Sequence, residues 1–255
     1  MGRNMNETTF TSVFDSDRSA TRASTHRYFY VGIASVLAII VFLAFTRTYW
    51  APLGQRTLAL HPAIHVHAIL FFLWTAFFLM QTLLPLRNRM ALHRLAGMFG
   101  IALAALMVFS GVLALIVSLK SGLDVRPQIA RTAAALSFGG MTLFSTFIAL
   151  GVANVLRPER HKRFMVLATF SILQAAIARL IMLIPSIGQP LRITIGTVIV
   201  DLMLLTVIAV DSRAQRRVHP VYVYGALFIL FVQWARIAVL DTQTWIDFTH
   251  WLAAL

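Results

Sequence analysis

The sequence predicts an all-α, polytopic membrane protein of seven transmembrane helices, with its amino terminus in the cytoplasm and its carboxyl terminus outside. Three observations carry this reading. Hydrophobic residues make up 59% of the chain and charged residues only 12%, against roughly 45–50% and 25% in soluble domains. Uninterrupted apolar runs recur along the chain, each about long enough to cross a hydrocarbon core at 1.5 Å per residue. Lysine and arginine then gather in every second loop, which is the signature of alternating membrane sides.

Residues 1–26 are polar, mixed in charge and rich in Ser and Thr, and are read as a disordered cytoplasmic tail. The membrane domain covers residues 27–240. Its first span, Tyr28 to Thr46, is too long for a signal-peptide core, and the following LAFTRTYWAP offers no persuasive small-residue cleavage site, so a retained helix is expected. The second span, Ile64 to Leu84, is uncharged, with His61, His65 and His67 at one end and an arginine-rich turn at the other. Further spans fall at Leu95 to Leu119, Thr132 to Leu156, Phe164 to Ile184, Ile193 to Val210 and Val221 to Leu240. In residues 241–255, Trp245, Phe248, Trp251, Leu252 and Leu255 share one helical face, and Asp241 or Thr242 can cap it. This predicts a short amphipathic helix in the outer interface.

Orientation follows from the loops. Arg87, Arg89 and Arg94, then Arg157, Arg160, Lys162 and Arg163, then Arg213, Arg216 and Arg217 join Arg3, Arg18, Arg22 and Arg27 on one side. The opposite loops hold Arg47, Arg56, Lys120, Arg126, Arg131 and Arg192. The richer side is cytoplasmic by the positive-inside bias. Seven-helix receptors and rhodopsins run the other way, and the only lysines, Lys120 and Lys162, lie at span ends, so no residue is placed for a retinal Schiff base. The formal charge of +13 is distributed through short loops, which argues against nucleic acid and for the lipid bilayer as partner. With no cysteine, any metal must rest on histidine, carboxylate or methionine.

Two groups of polar residues carry chemistry. Each span that starts in the cytoplasm begins with a basic residue and a histidine: His26, His93, His161 and His219. Histidines at one membrane depth are candidate axial ligands for a haem, with neighbouring arginines for its propionates; contact with lipid headgroups is the plainer and favoured explanation. At the outer end, His61 and His65 are four apart and share a helix face able to chelate, whereas His65 and His67 point apart. Deeper in, Asp201 lies near the middle of the sixth span, where an ionisable group needs a partner. Arg179 and Arg236 are the candidate cations, and an Arg179–Asp201 pair is expected from the lean of the two side chains. His65, His67, Arg179, Asp201 and Arg236 together predict an anion-friendly pocket suited to a carboxylate, a haem propionate or a quinone oxygen.

The succession HVHAILFFLWTAFFLMQTLL, then RMALHRLAG from Arg89 to Gly97, HKRFM at His161, AIAR ending at Arg179, and the Asp201 to Pro220 segment resembles a group of uncharacterised bacterial multi-pass membrane proteins over spans two to seven. That resemblance implies the bacterial inner membrane. A looser likeness to b-type membrane cytochromes rests on the histidines near span ends and implies haem b. The functional expectation is a haem- or quinone-associated redox or respiratory accessory protein, with a membrane-protein partner and no catalytic residue assigned. The rivals are a proton-coupled transporter that uses Asp201, and a non-catalytic structural or assembly factor.

Overall fold

The computed structural model describes residues 28–184 and 186–255. The expected tail, and His26 with it, lies outside the described residues. Among the described residues every regular element is helical. Helix α1 covers Tyr28–Ala44 and runs through a π-helical turn, Thr46–Trp50, into a short helix, Ala51–Gly54. There follow α2, Pro62–Leu86; α3, Met90–Gly122; and α4, Pro127–Ala153. The fifth span is two helices, α5, Pro158–Ser171, and α6, Gln174–Ile181. After it come α7, Gln189–Gln215; α8, Pro220–Val239; and α9, Gln243–Ala254. Six spans are long and apolar enough to cross a membrane, and the α1 unit, bent by 40°, makes up to seven. The protein is a membrane-embedded, multi-pass helical protein.

Most helices overrun the apolar stretches that announce them. α2, α4, α5 and α8 each begin at a proline, whose ring presets the helical φ and whose missing N–H would have had no partner in the first turn. Hydropathy alone misses these polar first turns. The α1 unit likewise continues past Thr46. Trp50 N–H bonds to Phe45 O at 3.1 Å, an i to i+5 link, and the Tyr49 and Trp50 rings lie 5.7 and 4.4 Å from Phe72, which keeps the widened turn docked on α2.

The irregularity between α5 and α6 contains neither glycine nor proline. Leu173 N–H bonds back to Phe170 O and Ala176 N–H to Leu173 O, so the turn tightens for one step. The hydroxyls of Thr169 and Ser171 donate to the carbonyls of Met165 and Leu167, back-bonding of the kind that bends helices.

Chain neighbours are also spatial neighbours from α2 to α5, while α8 returns against α4 and α5 and α6 packs on α7. The turns at 87–89, 154–157 and 216–219 therefore share one end of the bundle, here called the basic end, and the opposite end is called the far end. Trp74 is 1% exposed and meets the edge of Phe144 at 5.0 Å in the middle of the core. α9 lies across the far ends of α3 and α4. Leu252 packs with Leu115, Leu119, Leu123 and Ala134, and Thr242 caps the helix by accepting from Trp245 N–H at 3.3 Å. Trp251 and Leu255 remain exposed.

The two tightest helix contacts made at glycine are at Gly225 and Gly100. A Cβ on Gly225 of α8 would collide with Leu167 of α5, and one on Gly100 of α3 would collide with the Phe77 ring of α2. Leu167 is wholly buried and cannot swing into lipid. Gly225→Val is therefore expected to destabilise the folded protein by about 1–3 kcal/mol through overpacking. Thermal unfolding in detergent checks this; an unchanged midpoint would show that α5 and α8 are not so closely packed.

Candidate functional site

The local bonding of the histidines divides them into two chemical kinds. At the starts of α2 and α8, His61 and His219 are N-cap residues whose Nδ1 accepts the N–H of Ala63 and of Val221, each at 3.2 Å. A nitrogen that accepts is unprotonated, so the proton sits on Nε2 and that atom has no lone pair to offer a metal. The His-Pro pairs at these positions are helix caps. His93 and His161 are bonded the opposite way. Nδ1 of His93 donates to Gln81 O at 3.1 Å, and Nδ1 of His161 donates to Gly151 O at 2.8 Å. A carbonyl only accepts, so Nδ1 carries the proton and Nε2 keeps its lone pair, the state in which imidazole ligates a metal. The two rings meet edge to face at the basic end, with centroids 6.3 Å apart and planes at 89°. Beside them the side-chain amide of Gln81 is buried, with neither its nitrogen nor its oxygen bonded.

In the far half, the structure places the predicted pocket residues in two clusters. One contains His65, His67 and Arg179. His65 Nδ1 bonds to the Tyr49 hydroxyl at 3.2 Å, and His67 Nδ1 bonds to Ser110 Oγ at 3.1 Å. Arg179 lies within electrostatic range of His67, donates from Nη1 to Ala175 O at 2.9 Å, and covers the Phe45 ring at 4.2 Å. Gly111 permits this arrangement, since a Cβ there would crowd His67 Cε1 at 3.3 Å. The other cluster contains Asp201 and Arg236. Asp201 Oδ1 accepts from Gln233 Nε2 at 2.9 Å, and Arg236 donates to Gln174 Oε1 at 2.9 Å and Thr197 Oγ1 at 3.1 Å. Gln174 closes the set with a 2.6 Å bond to Thr197. The expected Arg179–Asp201 bond is not formed. Gln233, one helix away, takes the carboxylate, and the Phe45 face takes the guanidinium.

The most buried polar group of the basic end was not singled out by sequence reasoning. Arg163 of α5 and Asp211 of α7 are both 0% exposed. Asp211 Oδ2 accepts from Arg163 Nε at 2.9 Å and from Nη2 at 2.6 Å. Nη1 reaches Glu159, at its carbonyl and its carboxylate. The Tyr30 hydroxyl of α1 donates to Asp211 Oδ1 at 3.1 Å, Lys162 covers the Tyr30 ring, and the Tyr222 ring of α8 lies 5.7 Å from the guanidinium. One salt bridge thus gathers four spans. Its signal in the sequence was that Glu159 and Asp211 stand among arginines in the loops of that side, with Glu159 four residues before Arg163.

Between α1 and α7 runs an apolar groove of about 430 Å3, lined by Phe29, Val36, Phe170, Met203 and Val207 among others. No three metal-ligating side chains converge among the described residues. Comparison with protein families, with curated proteins and with solved structures finds no match to this chain.

Two outcomes follow from these contacts. Arg163→Met alone strips the buried Asp211 of its guanidinium and is expected to cost about 3–5 kcal/mol, Asp211→Leu costs less because Glu159 still pairs Arg163, and the double variant recovers most of the loss. Detergent unfolding of the three variants distinguishes this from a simple sum, which would mean that the pair is not coupled. The second outcome concerns His219, outside the spans. Its pKa lies below the ordinary imidazole value, because burial disfavours the cation and Arg163 repels it. Capping by His219 therefore contributes fully above about pH 6.5 and is lost as the pH falls through the lowered value. His219→Asn, which caps without titrating, should flatten that part of the pH–stability curve; an unaltered curve contradicts the cap.

Proposed function

We propose that this is a haem-associated redox protein of a bacterial inner membrane, with the basic end in the cytoplasm and His93 and His161 as the axial pair. The observation that carries the reading is the shared tautomer of these two histidines, each with Nδ1–H tied to a backbone carbonyl and Nε2 left basic. Such outer bonds orient a ligating imidazole and raise its basicity.

The donor set fits haem better than a bare ion. Two imidazoles are too few for an ion that needs three or four protein ligands, but they suffice where the cofactor supplies its own equatorial nitrogens. His93 and His161, whose ring centroids are 6.3 Å apart, are the residues that would hold the iron of a haem through their unprotonated Nε2 atoms. The unbonded Gln81 amide supplies a polar group beside the site, and Arg89, Arg94, Arg157 and Arg160 on the adjoining turns suit the propionates. When bound, haem supplies one-electron chemistry. The chain's own residues fix ligand orientation through Gln81 O and Gly151 O and keep the ligand level set by the Arg163–Asp211 bridge. The groove between α1 and α7, open to the bilayer, suits the tail of a quinone-class electron partner.

A proton-coupled transporter remains the second reading, favoured by the helix irregularity at residues 172–173, one step from the Gln174 that holds Arg236 near Asp201.

The test is a reduced-minus-oxidised absorption spectrum of protein produced with ample haem. Wild type should show sharp reduced haem bands near one haem per chain, and His93→Ala and His161→Ala should each abolish or shift them. His61→Ala and His219→Ala should keep the bands and lose only about 0.5–2 kcal/mol of stability as cap deletions. A haem-free wild type, or bands that depend on His61 and His219 instead, would falsify this assignment.

A further inference from the structure

We infer that Arg179 and His67 form a binding site, at the far end of the bundle, for a phosphate monoester or inorganic phosphate. The site is separate from the His93–His161 pair and does not rest on it.

The first observation is a mismatch of charge. Of the charged residues predicted to share a pocket, Arg179 and Arg236 are two cations against the single carboxylate of Asp201, which is committed to Gln233 and to the field of Arg236. Arg179 has no carboxylate. A guanidinium carries five N–H donors in a planar fork, and Arg179 spends one nitrogen, Nη1, on Ala175 O. Its face rests on Phe45, an attraction that uses the ring quadrupole and none of the remaining donors. Nε and Nη2 find no acceptor, yet neither is among the occluded orphan atoms, so both open on accessible space. Other arginines near this end differ. Arg192 donates from Nη2 to Ile187 O and Arg236 is held by Gln174 and Thr197, while the unbonded Nε of Arg192 and of Arg131 are occluded and reach no ligand.

The second observation concerns His67, which lies within the electrostatic reach of Arg179 and supplies the second group. Ser110 Oγ gives its proton to Met107 O at 3.1 Å, so it accepts from His67 Nδ1, and His67 Nε2 is left as a bare acceptor. Gly111 lets α3 come close enough to hold the ring in that position. A fork with two unused donors wants a pair of anionic oxygens. A neutral imidazole nitrogen wants an O–H. A carboxylate has the oxygens without the O–H, and a phosphodiester has lost it, whereas a phosphate or phosphate monoester carries both near neutral pH. The Phe45, Phe71, Phe72 and Tyr49 rings wall the site on the α1 and α2 side, in mutual contact at 5.1–6.1 Å. They lower the local dielectric and strengthen the ion contact.

The chemistry is shared by a soluble phosphate and by a lipid with a monoester headgroup, and calorimetric titration of the delipidated full chain in detergent separates them. The probes are inorganic phosphate, dihexanoyl phosphatidic acid and, for contrast, dihexanoyl phosphatidylglycerol and acetate. Saturable binding of one phosphate per chain assigns a soluble ligand, and saturation by phosphatidic acid alone assigns a lipid; either supports the site. In Arg179→Gln binding should weaken at least tenfold, and in Arg179→Lys, which keeps the charge but not the fork, by less. Arg192→Gln should bind as wild type. Should Arg179→Gln fail to fold, Arg179→Lys and Ser110→Ala carry the test, each with weakened binding at an unchanged unfolding midpoint. Absence of saturable binding by both monoester probes, tighter binding of acetate or the diester, or equal affinities in wild type and the Arg179 variants overturns the proposal.

Discussion

In a medium without water every polar group must find its partner inside the protein, and this constraint governs the structure from end to end. Its strongest expression is the Arg163–Asp211 bridge. Both side chains are fully buried, and the carboxylate is held by two guanidinium nitrogens and the Tyr30 hydroxyl. The bridge joins α1, α5 and α7 and stacks against Tyr222 of α8, so the basic end is fixed by one electrostatic node rather than by loops. His161 is two residues from Arg163 on the same helix. The level of the His93–His161 pair thus inherits its position from the node.

The same constraint sorts the histidines. Where a helix starts at proline, the preceding histidine satisfies a free N–H and is spent as a cap, as at His61 and His219. Where a histidine enters the bundle beside the last turns of a neighbouring helix, it donates to a carbonyl there instead, as His93 does to Gln81 and His161 to Gly151. One residue type at similar depths thereby acquires two different proton states. Internal satisfaction is incomplete at a few points: the Gln81 amide and the Nε of Arg131 and Arg192 are buried without a partner, and Arg179 keeps two unbonded nitrogens. Unmet donors that open on accessible space, as at Arg179, are where a ligand is to be sought.

The fold was legible because hydropathy and the bilayer's thickness leave few alternatives, and the spans and the terminal helix fall where the apolar runs place them. Less legible were features that depend on side-chain geometry. The α1 unit continues to Gly54 because aromatic packing on Phe72 holds a π turn that no local propensity announces. Arg163 reads as one more loop arginine until the helix is known to begin at Pro158, which carries it into the bundle. Asp201 was recognisable as a buried acid from its depth, but depth does not choose between Arg179 and Gln233. That choice is lateral and belongs to helix packing. The caps at His61 and His219 were within reach of the sequence, since a His-Pro pair ahead of an apolar run places an acceptor before a proline at the first helical position.

The account turns on the proton positions of four imidazoles, and 15N NMR of histidine-labelled protein in detergent above pH 8 reads them directly, with single His→Gln variants for assignment. His93 and His161 should appear as Nδ1–H tautomers with an unprotonated Nε2, and His61 and His219 as Nε2–H tautomers. Nε2–H signals from His93 and His161 would remove the lone pairs on which the ligand assignment depends and would contradict the account.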